Sequence, residues 1–342
     1  MRLRVAEDLA LPLEWMSMAT VVYGNRGSGK TQFGRVLAEE VHQARQRFCA
    51  IDIGGAWHGL RSSADGKSPG IPVVIFGGEH GDIPIEPGRE SGTLIGVTVA
   101  NSAQSSILDL EHMSKGKRIG FLAGFFEALY HHNREPIVLL IDEAQTMAPQ
   151  MSRGQGGDIL TCLGAVEDLV KLGRRHGIGV VLITQRGSSL NKEVSELCDM
   201  LVAFRTPGPL DQERVANWLD ANTTRAERAQ VMETISQLDT GSAIFASSHP
   251  KLRIKPVAHR VRLAWTFDSS ATPTIGEKRT TPTTLAKPDL AKLRVHMAEV
   301  IERSKATDPK ALRARVADLE AELARVKAEP RTEDADLVKR ED

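Results

Sequence analysis

Residues 21–33 read VVYGNRGSGKTQF, and this stretch decides the fold. Within it, GNRGSGKT matches G-x-x-x-x-G-K-[ST], the phosphate-binding loop of P-loop proteins. An apolar run precedes the loop, and apolar residues at helical spacing follow it, namely Phe33, Val36, Leu37 and Val41. The order strand, glycine-rich loop, helix therefore predicts an α/β protein that binds a nucleoside triphosphate.

Each residue type in the loop has a predicted part in holding ATP. Backbone N–H groups would surround the phosphate oxygens, and the helix that follows directs its positive end at them. Lys30 is expected to reach the β- and γ-phosphates, and the Thr31 hydroxyl is expected to bind Mg²⁺. The residues predicted to contact ATP are Gly24, Asn25, Arg26, Gly27, Ser28, Gly29, Lys30, Thr31 and Gln32.

A pair of acidic residues follows a second apolar run. In IVLLIDEAQ, residues 137–145, Asp142 and Glu143 come directly after five apolar residues. The carboxyl end of a parallel strand faces the ligand crevice. We expect Asp142 to hold the Mg²⁺ shell and Glu143 to act as general base on the attacking water. The alternative is an Asp-Glu pair that only caps a helix.

The segment GRRHGIGVVLITQRGSS, residues 173–189, contains a third polar group. Gln185 ends an apolar strand and is expected to hydrogen-bond the γ-phosphate and to sense its loss. Arg174 and Arg175 end the preceding helix. They are interpreted either as charges that favour the helix dipole or as an arginine finger that reaches the site of a neighbouring subunit.

Apolar runs alternate with helical patterns through about residue 205, which predicts βαβ units and a mainly parallel sheet. Residues 208–237 predict two more helices, with Thr223 as N-cap of the second. Late strands are predicted at 241–247 and 252–264, so that the ATPase domain spans 1–265. The earlier strands are predicted at 19–23, 48–53, 72–76, 105–109, 137–142, 178–184 and 200–205.

The composition changes after residue 265. Residues 266–288 are rich in Ser, Thr, Pro and Lys, which is typical of a flexible linker. Residues 289–329 have helical apolar spacing, which fits a short coiled coil or a helix packed on the domain. Residues 330–342 are expected to be a disordered tail.

Bulk composition excludes several classes of protein. Lys and Arg together number 44, as do Asp and Glu, so the whole chain has no net attraction for nucleic acid. No apolar run is long enough to span a membrane, and the N-terminus is a poor signal peptide. The three cysteines, Cys49, Cys162 and Cys198, are an odd number without C-x-x-C pairing, which favours a reduced, cytoplasmic protein.

Four segments together resemble HerA-like ATPases of the HerA/FtsK superfamily. They are GNRGSGKT, AIDIGGAWHGL, IDEAQTMAPQ and LGRRHGIGVVLITQRGSSLNKEVSELCDMLVAFR, and the likeness covers about residues 15 to 250. One departure is Gly187, which stands where these proteins usually have Pro after T-Q-R. The resemblance implies a RecA-like core, a hexameric ring with ATP sites at subunit boundaries, and movement along duplex DNA.

The resemblance also sets expectations about attachments and DNA contacts. Since the glycine-rich loop begins at Gly24, the resemblance implies a core without the β-barrel that precedes this loop in HerA proteins. The stretch SKGKR, 114–118, is locally basic. The glycine-rich segment around Arg153 is the best candidate for a pore loop that contacts DNA phosphates.

Three functions are compatible with these motifs. The leading hypothesis is an ATP-hydrolysing hexameric motor that translocates duplex DNA with a nuclease or effector partner. A second is a nucleotide-gated ring that assembles and regulates such a partner. A third is an ATPase for DNA packaging or mobilisation.

Overall fold

The computed structural model describes residues 2–150, 156–270, 281–291, 293, 295, 297 and 298. One compact unit spans Met1–Leu293, and Arg294–Asp342 form a second. Most of the segment predicted to be a short coiled coil or packed helix (289–329), the tail at 330–342 and the candidate pore loop at Arg153 lie outside the described residues.

The first unit is an α/β domain in which a nine-stranded sheet forms the centre of the described part. A small antiparallel pair precedes this sheet, formed by β1 (Arg2–Arg4) and β2 (Ala10–Pro12). The strands of the large sheet are β3 (Ala19–Tyr23), β4 (Arg47–Asp52), β5 (Val74–Phe76), β6 (Ser106–Asp109), β7 (Ile137–Ile141), β8 (Ile178–Thr184), β9 (Met200–Phe204), β10 (Ser242–Ser247) and β11 (Val257–Arg260).

Helices follow most of these strands and cover the sheet. They are α1 (Lys30–Gln43), α2 (Arg89–Asn101), α3 (Lys115–His132), α4 (Asp158–Leu172), α5 (Lys192–Glu196), α6 (Pro209–Asn222) and α7 (Arg225–Thr234). Short 3₁₀ turns lie at Leu13–Ser17, His58–Arg61, Ala144–Thr146, Gly173–His176 and Gly187–Ser189.

The strand order in the large sheet is β11-β10-β9-β3-β8-β7-β4-β6-β5. All neighbouring pairs from β9 to β5 are parallel, whereas β10 and β11 pair antiparallel. The predicted mainly parallel sheet is therefore confirmed. We call the edge at which the parallel strands end the carboxyl edge, and the edge at which they begin the amino edge.

Strand order brings the sequence motifs together. Strand β8 lies between β3, which leads into the glycine-rich loop, and β7, which leads into the acidic pair. Strands β3, β7 and β8 are buried along their whole length, which explains their continuous apolar sequences. The loops that follow these three strands consequently meet at the carboxyl edge.

Two local predictions differ from the structure. The late strand predicted at 252–264 is confined to Val257–Arg260. The N-cap of α7 is Thr224 rather than Thr223, because Thr224 and Glu227 form a reciprocal capping box.

The described parts of the predicted flexible linker are held on the domain. Glu39 of α1 is fully buried, and its Oε1 accepts hydrogen bonds from the Thr266 backbone N at 2.9 Å and from Thr266 Oγ1 at 2.7 Å. Further along, Ala286 N donates to the Arg61 carbonyl at 2.7 Å. The polar composition predicted a linker, but here the polar groups pair with the domain, so the first unit extends beyond the predicted boundary at 265.

In the described residues, no helix combines the length and the apolar character needed to cross a membrane.

Candidate nucleotide site

Hydrogen bonds to the residue after β9 and within the loop hold the glycine-rich loop between β3 and α1 in shape. Asn25 N donates to the Arg205 carbonyl at 3.0 Å, and Ser28 Oγ donates to the Asn25 carbonyl at 2.8 Å. Gly29, the N-cap of α1, has φ 113°, a conformation that side chains rarely allow. A Cβ at Gly29 would also lie 3.0 Å from Gly241 Cα. The loop therefore requires glycine at this position.

The start of α1 fits a phosphate. No side chain caps this helix end, so the N–H groups of its first turn, which lack intrahelical partners, remain available to an anion. Lys30 is buried and its Nζ donates to the Asn25 carbonyl at 2.8 Å, which holds the amine over the loop. Burial lowers the pKa of Lys30, and the charges of Glu143 and Asp142 partly oppose that effect.

Two other residues predicted to contact ATP have different surroundings. Thr31 is half-buried in the first turn of α1, as a hydroxyl ligand to a metal would be. The side chain of Gln32 donates instead to the Arg262 carbonyl at 3.2 Å. Gln32 is thus left with its backbone N–H as its contribution to nucleotide binding.

Asp142 lies at the end of β7, and both of its carboxylate oxygens accept hydrogen bonds. Oδ1 accepts from the Glu143 backbone N at 2.9 Å, and Oδ2 accepts from Trp57 Nε1 at 3.3 Å. Burial raises the pKa of Asp142, and the neighbouring charge of Glu143 adds to that effect. The carboxylate is therefore fixed in orientation next to the loop that contains Lys30.

The backbone at Glu143 is left-handed, with φ 51° and ψ 45°. This conformation is costly for a residue with a side chain and is common at functional sites. The Glu143 carboxylate accepts from Gln185 Nε2 on Oε1 and from Gln145 Nε2 on Oε2, the latter at 2.5 Å. Thr184 Oγ1 donates to Gln145 Oε1 at 2.6 Å. The predicted base is therefore tied directly to the end of β8.

Arg174 and Arg175 are not part of this cluster. They lie in the 3₁₀ turn that precedes β8, at the amino edge, and both are exposed. Strand β8 has 7 residues, so at about 3.3 Å per residue these arginines are roughly 20 Å or more from its end at Thr184. They cannot act on the nucleotide site of their own chain.

Sequence reasoning assigned no role to three residues of the site: Gln145, Trp57 and Asp52. Asp52 ends β4 and is 1% exposed, and it accepts from Gly54 N at 3.0 Å and from Trp57 N at 2.8 Å. Burial raises the pKa of Asp52 to about 7. The segments AIDIGGAWHGL and IDEAQ contained all three residues, but only the tertiary contacts show what each one touches.

The departure at Gly187 has a steric explanation. A Cβ at Gly187 would lie 2.9 Å from Cδ1 and Cε1 of Tyr23, the residue immediately before the glycine-rich loop. A proline at 187 would collide with this buried ring. In this chain, Tyr23 and Gly187 therefore form a matched pair.

A magnesium ion would need ligands both from α1, after the glycine-rich loop, and from the acidic pair after β7. Among the described residues, no group of three or more His, Cys, Asp or Glu side chains could hold a metal by itself. Thr31 and Asp142 stay the residues predicted to hold the ion, and the nucleotide would supply further oxygen ligands. This fits Mg²⁺, which is commonly bound through one or two carboxylates together with substrate phosphates.

Comparisons with known proteins agree with this geometry. The chain is 28% identical over 126 residues to the DNA double-strand break repair helicase HerA of Pyrococcus furiosus, which is 37% of this chain and 21% of HerA. The chain thus spans only about a fifth of the length of that curated relative. No protein-family model matches the chain.

Two solved structures represent the fold neighbours. The bacterial conjugative coupling protein TrwBdeltaN70 has a TM-score of 0.52 at 10% identity, over 77% of this chain and 89% of that one. The genome packaging NTPase B204 of Sulfolobus turreted icosahedral virus 2, in complex with sulfate, has a TM-score of 0.47 at 14% identity, over 72% and 98%.

Sequence match and fold together confirm the resemblance to HerA-like ATPases. The fold is that of the RecA-like P-loop ATPases, as expected. The predicted enzyme class, a P-loop ATPase, agrees with this likeness.

Proposed function

We propose that the protein is an ATP-hydrolysing motor of the HerA type that works as a hexameric ring on duplex DNA. The observation that carries this proposal is the meeting of Lys30, Asp142, Glu143 and Gln185 at one edge of the sheet. Hydrogen bonds connect Asp142, Glu143 and Gln185, and the charges of Asp142 and Glu143 act on the Lys30 amine. An Asp-Glu pair that only capped a helix would not need the hydrogen bond that connects Glu143 to Gln185, at the end of a different strand.

The side chains divide the hydrolysis between them. Lys30 and the N–H groups of the loop bind the β- and γ-phosphates. Thr31 and Asp142 would hold Mg²⁺, which would offset phosphate charge. Glu143 takes a proton from the attacking water. Gln185 and Gln145 orient the Glu143 carboxylate, and Gln185 responds to the loss of the γ-phosphate because it already contacts that carboxylate.

Assembly into a ring would complete the site. Arg174 and Arg175 are too far from the nucleotide of their own chain, but both are exposed and could face a neighbour. Arg174 Nη1 lies 3.3 Å from His249 Nε2, also at the surface. For DNA contact, the described residues offer Lys115 and Lys117, which are exposed at the start of α3 on the carboxyl edge. Six copies of such a pair would add phosphate contacts without a net positive charge on the chain.

Location and partner belong to the same proposal. The three cysteines are buried and unpaired, which suits a reducing cytoplasm. A nuclease or effector protein would supply the chemistry on DNA, since the proposed site hydrolyses only nucleotide.

The decisive experiment measures ATP hydrolysis by the full chain with and without duplex DNA. We expect DNA to stimulate the rate and Lys30→Ala to abolish it while the circular dichroism spectrum is unchanged. A rate that is equal with and without DNA would contradict the motor. Unchanged turnover in Lys30→Ala would contradict the nucleotide site itself.

A second test separates the motor from a nucleotide-gated scaffold. In the Glu143→Gln protein ATP should bind without being hydrolysed. If that protein still supports the activity of the partner complex, assembly rather than movement is the function.

A further inference from the structure

The indole ring of Trp57 contacts both Asp142 of the acidic pair and helix α1, which follows the glycine-rich loop. Its Nε1 donates to Asp142 Oδ2 at 3.3 Å, on the side of the acidic pair. Its Cη2 atom lies 2.8 Å from the position that a Cβ on Gly34 would occupy. Gly34 belongs to α1, one turn beyond Lys30 and Thr31. Trp57 is fully buried, so the ring is in fixed contact with both elements.

A separate device holds the ring in that place. Strands β4 and β7 are paired in register at Ile51 and Ile141, so that Asp52 and Asp142 leave the sheet side by side. The Asp52 carboxylate accepts the backbone N–H groups of Gly54 and Trp57, which folds residues 53–57 back across the end of β7. The turn and the ring therefore act as one unit.

The hydrogen bond from Trp57 determines which lone pairs of Asp142 remain available. An ionised carboxylate offers about four acceptor positions. One on Oδ1 is used by Glu143 N and one on Oδ2 by Trp57 Nε1. The two donors therefore set the direction in which the remaining lone pairs of Asp142 point. Hydrogen-bond partners commonly orient metal-binding carboxylates in this way.

We propose that Trp57, anchored by Asp52, is a positioning residue that sets the spacing between Thr31 and Asp142 and thereby the Mg²⁺ affinity of the nucleotide complex. This inference rests on the proposed nucleotide site and goes beyond it, since Trp57 itself touches no reacting atom. Partners of this kind typically change metal affinity by about 10- to 100-fold.

The chain provides a matched control for the test. Trp15 is also buried, at 1% exposure, and its Nε1 donates to Thr20 Oγ1 at 2.9 Å. Trp15→Phe therefore removes a buried, hydrogen-bonded indole N–H that contacts neither α1 nor Asp142. Any general effect of losing such a group will appear in both variants.

The experiment measures the affinity of ATPγS by calorimetry in Mg²⁺ and in EDTA, for the wild type, Trp57→Phe and Trp15→Phe. In Trp57→Phe we expect the affinity ratio of Mg²⁺ to EDTA to fall about tenfold, with the EDTA value within about twofold of the wild type. Trp15→Phe should keep the wild-type ratio. An unchanged ratio in Trp57→Phe, or an equal fall in both variants, would overturn the inference.

Gly34→Ala provides a second variant if Trp57→Phe does not fold. Alanine favours a helix over glycine by about 1 kcal/mol, and its Cβ would displace the ring while the indole N–H is kept. The same ratio should fall, by less than in Trp57→Phe, and an unchanged ratio would again contradict the inference. If the wild type binds no ATPγS at all, the proposed function fails, and this inference fails with it.

Discussion

The carboxyl and amino edges of the sheet are built differently, although both contain charged residues from the same motifs. At the carboxyl edge, Asp142, Glu143 and Gln185 are connected by hydrogen bonds and are half-buried. At the amino edge, Arg174 and Arg175 are exposed, and among the described residues no ion pair with a carboxylate involves them.

The difference indicates which parts of the proposed ATP site a single chain can build by itself. A hydrogen-bonded carboxylate at a strand end is oriented by its own fold and needs no other subunit. Exposed arginines about a strand length away can contribute to hydrolysis only if another chain brings a phosphate to them. Each of the following experiments tests one edge against the other.

The largest effect is expected at the amino edge. Arg174→Ala and Arg175→Ala, made singly, should identify one variant whose ATP turnover falls by about 10³- to 10⁵-fold, as the loss of an arginine finger does. Mixing that variant with Lys30→Ala should restore part of the activity, because each protein supplies what the other lacks at a shared site.

The control for this test is Arg134→Ala, which removes another exposed arginine near the same edge. It should keep the wild-type rate. Full activity in both arginine variants, or no recovery on mixing, would mean that the amino edge carries only helix-terminal charges.

At the carboxyl edge, Glu143→Gln should lower ATP turnover by about 10²- to 10⁴-fold, since a general base is lost. Binding of ATPγS should persist because the phosphate loop is intact. Single-turnover hydrolysis and calorimetry measure the two quantities separately. Turnover within a few-fold of the wild type would assign the base to another group.

Gln185→Ala should have a smaller effect. Hydrogen bonds to charged groups contribute about 1.5–3 kcal/mol, which corresponds to about a 10- to 100-fold loss when Glu143 is no longer held by the end of β8. The loss should fall on kcat rather than on KM for ATP. A change confined to KM would show that Gln185 binds nucleotide without orienting Glu143.

The last prediction concerns stability at the carboxyl edge, where no effect on turnover is measured. Because burial raises the pKa of Asp52 from 3.8 to about 7, the folded state holds its proton more tightly than the unfolded state does. The free energy of unfolding should therefore decrease as pH rises through this window, by at most about 1.4 kcal/mol per pH unit, with the full penalty above about pH 7. Urea unfolding of the wild type and Asp52→Asn at about pH 5 and pH 8 measures the difference. An identical pH slope in both proteins would contradict it.

Much of the fold was predictable from the sequence because buried parallel strands require continuous apolar residues. The runs at 19–23, 137–142 and 178–184 matched β3, β7 and β8 within one residue at each end. The boundary at 265 was less accurate. Ser, Thr and Pro are common in linkers, but Thr266 is used to satisfy the buried Glu39, a long-range contact that composition does not contain.

The sequence alone was enough to predict the chemistry of the loop and of the acidic pair, because a glycine-rich loop with a lysine and two adjacent acids after an apolar strand have few other uses. Only the tertiary structure decided that Gln145 and Gln185 share Glu143, that Trp57 connects α1 to Asp142, and that Gly187 accommodates Tyr23. These contacts join residues separated by many positions in the chain, so they depend on strand order and register. Local spacing fixes what a side chain can do, whereas the order of the strands fixes which other side chains it meets.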